Sequence, residues 1–364
     1  MTLLMQYKEL LNFITDEDIT MKAVRLHAQG DVRIDDIEKP KPKAGEILSK
    51  IGAAGVCHSD LHLIDDGLVN TNVPFTLGHE NAGWVAELGE GVTDFQIGDA
   101  VIVYGPWGCG HCEPCQQSAE NYCDHQSESS VLGGGLGIDG GMAEYMIVPS
   151  SRLLVPLQEL TPQETAPLSD AALTPYHAIK QSAAKMTPSA YILVLGIGGL
   201  GHMAVQILKN LYGTTVIAGD ISDDKLALAK KMGADYVIRT DQNIDVVVNS
   251  ITAISGVKKC SVVLDFVGAQ STLEIGAKTV GLNGDWTVVG LGNGQFQWSN
   301  IATSWGVSLC NPYWGSRVEL MEVLDMKRKG LINIEYSTYP LVQAVEVYDK
   351  LRHRQIQGRA VLVP

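Results

Sequence analysis

From residue 21 to about residue 155, apolar residues come in short runs of strand length, MKAVRL, EILSKIGAAGV, AGWVAEL, DAVIVYG and AEYMIV, separated by Gly- and Pro-rich breaks. That texture predicts a mostly β region with long loops. Beyond Pro167 the period becomes helical in DAALTPYHAIKQSA. Strands then alternate with helices: AYILVLG (190–196), GLGHMAVQILKNL, TTVIAGD, SDDKLALAKKMG, and after them KCSVVLDFVG, DWTVVGL and VSLCNPYWG. Spacings that leave room for crossover helices predict a parallel, doubly wound α/β sheet with right-handed connections. From about residue 312 a helix, RVELMEVLDMKRKG, and a terminal strand, RAVLVP, are expected to return to the first region. The expected division is therefore 21–173 plus 312–364 for one domain and 174–311 for the other, with residues 1–20 as an extension without an assigned role.

A chain of 364 residues suits two domains, which permits a cleft between them. The formal net charge of -14 disfavours nucleic acid and anionic membranes as partners. No run of 18 apolar residues occurs, and residues 1–20 have neither a secretory nor a mitochondrial leader pattern, so a soluble, cytoplasmic protein is expected. Four of the seven cysteines fall between positions 109 and 123, and in a reducing compartment such crowding favours metal over disulfides.

Three constellations carry chemistry. Cys109, Cys112, Cys115 and Cys123 are spaced C-x2-C-x2-C-x7-C, a full tetrahedral shell for a structural zinc. An iron–sulfur cluster also takes four cysteines, but its compact run ends differently. His111 lies inside the run, surplus to a shell already filled, and reads as a solvated loop residue. The second set is dispersed: Cys57-His58-Ser59-Asp60-Leu61-His62, then His79-Glu80, then Asp170. Cys, His and a carboxylate are ligands a catalytic zinc uses while keeping one position open, although Cys57 alone also suits a buried apolar site and Asp170 a helix cap. The third is Gly196-Ile197-Gly198-Gly199-Leu200-Gly201, which follows a strand, opens a helix and precedes Asp220 by nineteen residues. In that context the glycines admit a dinucleotide pyrophosphate, and the Asp220 carboxylate accepts from the adenosine ribose and repels a 2′-phosphate. The competing reading of Asp220 is a turn or cap residue.

With these elements in this order, and with GVCHSD, GHE, PLSDAALTPYHAI, GIGGLGH and QGRAVLVP, the chain resembles the zinc-containing medium-chain alcohol dehydrogenases from residue 21 onward, most of all the bacterial NAD-dependent secondary-alcohol branch. The resemblance implies a GroES-like catalytic domain beside a Rossmann NAD domain, two zinc ions per chain, and a homo-oligomer, tetramer or dimer. It implies reversible hydride transfer from an alcohol to NAD, giving an aldehyde or ketone, with secondary alcohols favoured. Cys57 and His79 would ligate the catalytic zinc, with Asp170 where many relatives carry Cys, and Glu80 able to approach the metal. Asp60 would orient His79. Ser59 would contact the substrate oxygen and His62 would pass its proton to solvent. His58 and Arg359 would approach the pyrophosphate, Thr174 the nicotinamide, and Lys225 the adenosine ribose. Phe266, Val267, Val289 and Leu291 would lie at strand ends near the cofactor, and Tyr313 and Trp314 would line a mainly apolar substrate pocket. His177 and His202 read as packing residues. Rivals are a zinc-free reductase on the same fold, which the cysteines disfavour, a polyol dehydrogenase, and a non-catalytic zinc- and nucleotide-binding protein.

Overall fold

The computed structural model describes residues 20–67, 73–128 and 132–364, so the expected extension falls outside it except for Thr20. The first region is built on a seven-stranded sheet. Its order is Tyr336–Pro340, Arg359–Val363, Ile47–Val56, Glu80–Leu88, Ala100–Val103, Leu154–Pro156, with Tyr145–Val148 also paired to Ile47–Val56. Ile47–Val56 is buried on both faces apart from Lys50, which explains its largely apolar sequence. A smaller sheet joins Asp31–Glu38, Thr20–Ala28 and Phe75–Thr76. The terminal strand thus returns to the N-terminal sheet: Ala360 pairs antiparallel with Val56 and Leu362 with Ala54.

The second sheet has six strands, β1 (Tyr191–Leu195), β2 (Thr215–Asp220), β3 (Tyr236–Arg239), β4 (Cys260–Asp265), β5 (Val280–Val288) and β6 (Ser308–Cys310). They lie parallel in the order β3-β2-β1-β4-β5-β6, the doubly wound arrangement of a Rossmann domain. Helices Gly201–Ile207, Asp223–Lys231, Ile244–Ser255 and Gln270–Thr279 make the crossovers. Trp286 on β5 is fully buried, and a Cβ on Gly276 of the facing helix would come within 2.6 Å of its indole nitrogen. Glycine there lets helix and sheet close.

Asp31–Glu38, β3 and Tyr336–Pro340 were not legible as strands. All three are edges with no fully buried residue, so they lack the buried apolar run that marks the inner strands. Among the described residues no helix is long and apolar enough to cross a membrane.

Candidate metal centres and cofactor cleft

Strand register assembles the first centre. Cys57 follows Val56, the last residue of its strand, and starts the short helix His58–Leu61. Glu80 opens the neighbouring strand opposite Gly55, which puts His79 just beyond the sheet. Arg359 opens the strand on the other side. A Cβ on Gly55 would fall 1.9 Å from Glu80 Oε2, so only glycine lets the Glu80 side chain lie across this strand. Asp170 arrives from the buried helical segment Leu168–Ala172, where no capping bond holds it.

The donor atoms of Cys57, His79, Glu80 and Asp170 lie within 4.8 Å of one another, and all four residues are buried. Asp170 Oδ2 is 3.3 Å from Cys57 Sγ and 3.9 Å from His79 Nε2. Its other oxygen accepts the Thr174 hydroxyl at 2.6 Å. Burial opposes ionisation of Asp170, yet His79 and Arg359 outweigh it and hold the carboxyl below the usual range. Asp60 Oδ1 stands 3.1 Å from His79 Nδ1, and Asp60 Oδ2 accepts the Cys57 N–H at 3.0 Å. One carboxylate thus reaches both residues, and His79 presents Nε2 to the cluster. Ser59 Oγ lies 3.5 Å from Cys57 Sγ. His62 sits one helical turn on, 3.1 Å from Asp66, with part of its side chain in solvent. Cys, His and carboxylate donors in one buried cluster fit a divalent ion of the zinc type.

Glu80, expected to be able to approach the metal, offers a donor atom within this cluster, and both its oxygens bond Arg359, whose Nε donates to Oε2 at 3.1 Å and whose Nη2 bonds Oε1. Arg359, expected to approach the pyrophosphate, is 3% exposed, and its guanidinium bonds Glu80 and Asp170, the latter at 3.1 Å. Two buried carboxylates draw it there, because neither tolerates burial without a counter-charge. Its other edge still reaches the cofactor loop: a Cβ on Gly199 would lie 2.3 Å from Nη1.

The Gly-rich turn follows β1, where the strand order reverses and open α/β sheets place ligands. A Cβ on Gly201 would lie 1.9 Å from the Gly196 carbonyl, and Gly196 itself has φ +85°, whereas Gly198 has open space around it. The tight turn and the open backbone face suit a pyrophosphate. Asp220, ending β2, accepts the Ile197 N–H at 2.7 Å and the Ser222 N–H at 3.0 Å. It therefore braces the loop that follows β1. Phe266 and Val267 follow β4; Val289 and the exposed Leu291 follow β5. Partial burial and then the charges of Arg359 and Lys225 push His58 down to about 4.

Trp314 is 7% exposed and lies beside the metal-type cluster. Its ring packs edge-on against His79 with centroids 5.5 Å apart, and Nε1 donates to Ser169 O at 2.6 Å. Tyr313, 36% exposed, keeps a free face.

In the second centre the four cysteines are unpaired thiols. Sulfur–sulfur distances are 3.9 Å for Cys109–Cys115 and 3.8 Å for Cys112–Cys123. A tetrahedron with zinc–sulfur bonds of about 2.3 Å has edges of about 3.8 Å, so the shell fits zinc and is far too open for disulfides. Backbone N–H groups of Cys109, Cys112 and His125 point at the sulfurs. Sequence reasoning missed what joins this lobe to the rest. Tyr122 OH lies 2.8 Å from His177 Nε2, and His177 Nδ1 lies 2.8 Å from Glu319 Oε2. His177 is thus a buried polar link between three chain segments, not simply packing, and no local pattern announces partners 55 and 142 residues away.

Two family models match the chain, an alcohol dehydrogenase GroES-like domain over residues 43–159 and a zinc-binding dehydrogenase domain over 199–328. The NAD-dependent alcohol dehydrogenase of Sulfurisphaera tokodaii is 34% identical over 94% of this chain and 100% of its own. The chain belongs to the zinc-containing medium-chain alcohol dehydrogenase family. The crystal structure of an alcohol dehydrogenase from Aeropyrum pernix superposes with a TM-score of 0.87 at 34% identity, covering 94% of this chain and 100% of that one. D-arabinose 1-dehydrogenase (NADP(+)) of Saccharolobus solfataricus is 33% identical over 91% of this chain and 94% of its own. The family therefore spans simple alcohols and sugars, and both cofactors.

Proposed function

We propose that this chain is a zinc-dependent alcohol dehydrogenase that passes hydride reversibly between an alcohol and NAD, with secondary alcohols favoured. The observation that carries the reading is the buried Cys57–His79–Asp170 set, one guanidinium away from Gly199 of the Gly-rich turn. Cys57, His79 and Asp170 would hold the catalytic zinc and the four-cysteine lobe the structural one. Zinc would supply a Lewis acid for the alcohol oxygen, and NAD the hydride acceptor.

The protein's own groups do the rest. Asp60 fixes the His79 ring, and Thr174 fixes Asp170. Ser59, beside Cys57, is placed to take the alcohol proton, and His62 at the cleft rim to release it to solvent. Trp314 excludes water behind His79, which leaves Tyr313 as the side chain that shapes the pocket. Asp220 supports NAD over NADP, since a carboxylate repels a 2′-phosphate. We divide the chain as 21–173 with 312–364 for catalysis and 174–311 for the cofactor. We also place the enzyme in the cytoplasm as a homo-oligomer. Oligomerisation is supported by the open edge strand β6 and the segment leading into it, where Trp298, Ile301, Trp305 and Leu309 are between 47% and 80% exposed.

A polyol or sugar dehydrogenase is the second reading, favoured by the D-arabinose relative. Steady-state kinetics with 2-butanol, 1-butanol and D-arabinose, each with NAD and NADP, decides between them. The proposal expects the highest kcat/KM for 2-butanol with NAD. A clear preference for D-arabinose or for NADP rejects it.

A further inference from the structure

His111 and His125 are not needed by either zinc centre of the proposed enzyme. Yet their donor atoms and the Cys109 sulfur lie within 4.8 Å of one another on the outer side of the four-cysteine lobe. The two rings face each other with centroids 5.5 Å apart. Each has one nitrogen engaged: His111 Nδ1 lies 3.1 Å from the Cys109 carbonyl, and His125 Nδ1 lies 3.3 Å from Glu128 Oε1. A backbone carbonyl or carboxylate on one ring nitrogen fixes the tautomer that leaves the other nitrogen able to bind a metal, the arrangement found around metal-ligating histidines. His111 is exposed and His125 partly so; an ion can reach them without opening the fold.

We propose that Cys109, His111 and His125 form a third, exchangeable site for a borderline divalent ion of the zinc or cobalt type, with the Cys109 thiolate bridging it to the structural zinc. Two imidazoles and a thiolate are a zinc-type donor set, and three ligands leave the fourth position to water. The chemistry favours such an ion over calcium or magnesium, which require oxygen donors. Cys109 suits the bridging role because its sulfur is the one shared by the inner shell and the outer group.

The site rests on the lobe holding its structural zinc, so the test begins with a metal count on the purified holoenzyme. Two zinc ions per chain at the outset establish that reading independently. Equilibrium dialysis against micromolar zinc is then expected to give a third equivalent, which the double variant His111→Ala/His125→Ala loses and His353→Ala, a histidine elsewhere, keeps. Turnover of 2-butanol should be unchanged in all three proteins, since none of these residues lies in the catalytic cleft. Loading cobalt(II) instead should produce a thiolate-to-cobalt charge-transfer band in the wild type that is missing from the double variant. The proposal is overturned by the absence of a third equivalent, by its survival in the double variant, or by a third equivalent without a thiolate band, which would leave an ordinary histidine pair.

Discussion

Glu319→Gln tests whether the link between the four-cysteine lobe and the helix Leu173–Gln181 depends on charge. Glu319 is 7% exposed; its Oε2 meets His177 Nδ1 at 2.8 Å and accepts the Ser316 N–H at 2.8 Å, while Oε1 lies 3.6 Å from Lys180. Burial alone would raise the carboxyl, but the bonds to His177 and Ser316 hold it down to about 2. Glutamine preserves the size and the capping bond and removes only the charge. A folded-state pKa depressed from 4.5 to about 2 gives a ceiling of about 3 kcal/mol at neutral pH, and solvent screening on the open side near Lys180 reduces this to about 2 kcal/mol. The sign is that of a depressed acid: the contribution is complete above the unfolded pKa of 4.5 and fades as pH falls toward 2. Urea unfolding of zinc-loaded wild type and variant should therefore differ by about 2 kcal/mol from pH 7 to pH 5, and by about half as much near pH 3. A deficit that stays constant from pH 7 to pH 3, or one below about 0.5 kcal/mol, the range of ordinary surface changes, would refute the reasoning.

Asp170→Asn should abolish activity and lower catalytic zinc occupancy while far-ultraviolet circular dichroism is unchanged; full zinc and rate would return Asp170 to a structural role. Gly201→Ala puts a Cβ where the Gly196 carbonyl now approaches, so NADH binding measured by fluorescence should weaken at least tenfold. Cys115→Ser should leave one zinc per chain and lower the unfolding temperature, with the remaining zinc still at the catalytic centre by activity per folded molecule. Asp220→Ser should narrow the ratio of kcat/KM for NAD over NADP; an unaltered ratio would assign Asp220 only to bracing Ile197 and Ser222.

The parts of this protein legible in its sequence are those encoded locally. The Gly-rich turn needs glycines at fixed offsets, the cysteine lobe needs four sulfurs in fifteen residues, and β1, β2 and β4 are buried runs with strong apolar character. What was hidden depends on distant partners. Arg359 could be placed near the cofactor by resemblance, but its capture by Glu80 and Asp170 follows from sheet register, which pairs Ala360 with Val56 and Gly55 with Glu80. The bond from the Trp314 indole nitrogen to Ser169 O was hidden for the same reason, its partner lying 145 residues away. The edge strands lack the fully buried apolar run by which the inner strands were read.

The capture of Arg359 also bears on the order in which this protein can be made. Glu80 and its guanidinium are 279 residues apart, and Asp170 precedes the same group by 189. At ribosomal rates of about 5–20 residues per second, Glu80 waits on the order of tens of seconds for the cation that neutralises it. Throughout that interval the Ile47–Val56 strand keeps an open edge where Arg359–Val363 will pair, and two carboxylates destined for burial have only His79 beside them as a counter-charge. A nascent chain stopped before residue 359 therefore lacks both a central strand and the charge that makes the catalytic centre buriable. A divalent cation held early by Cys57, His79 and Asp170 would supply positive charge there before the arginine arrives.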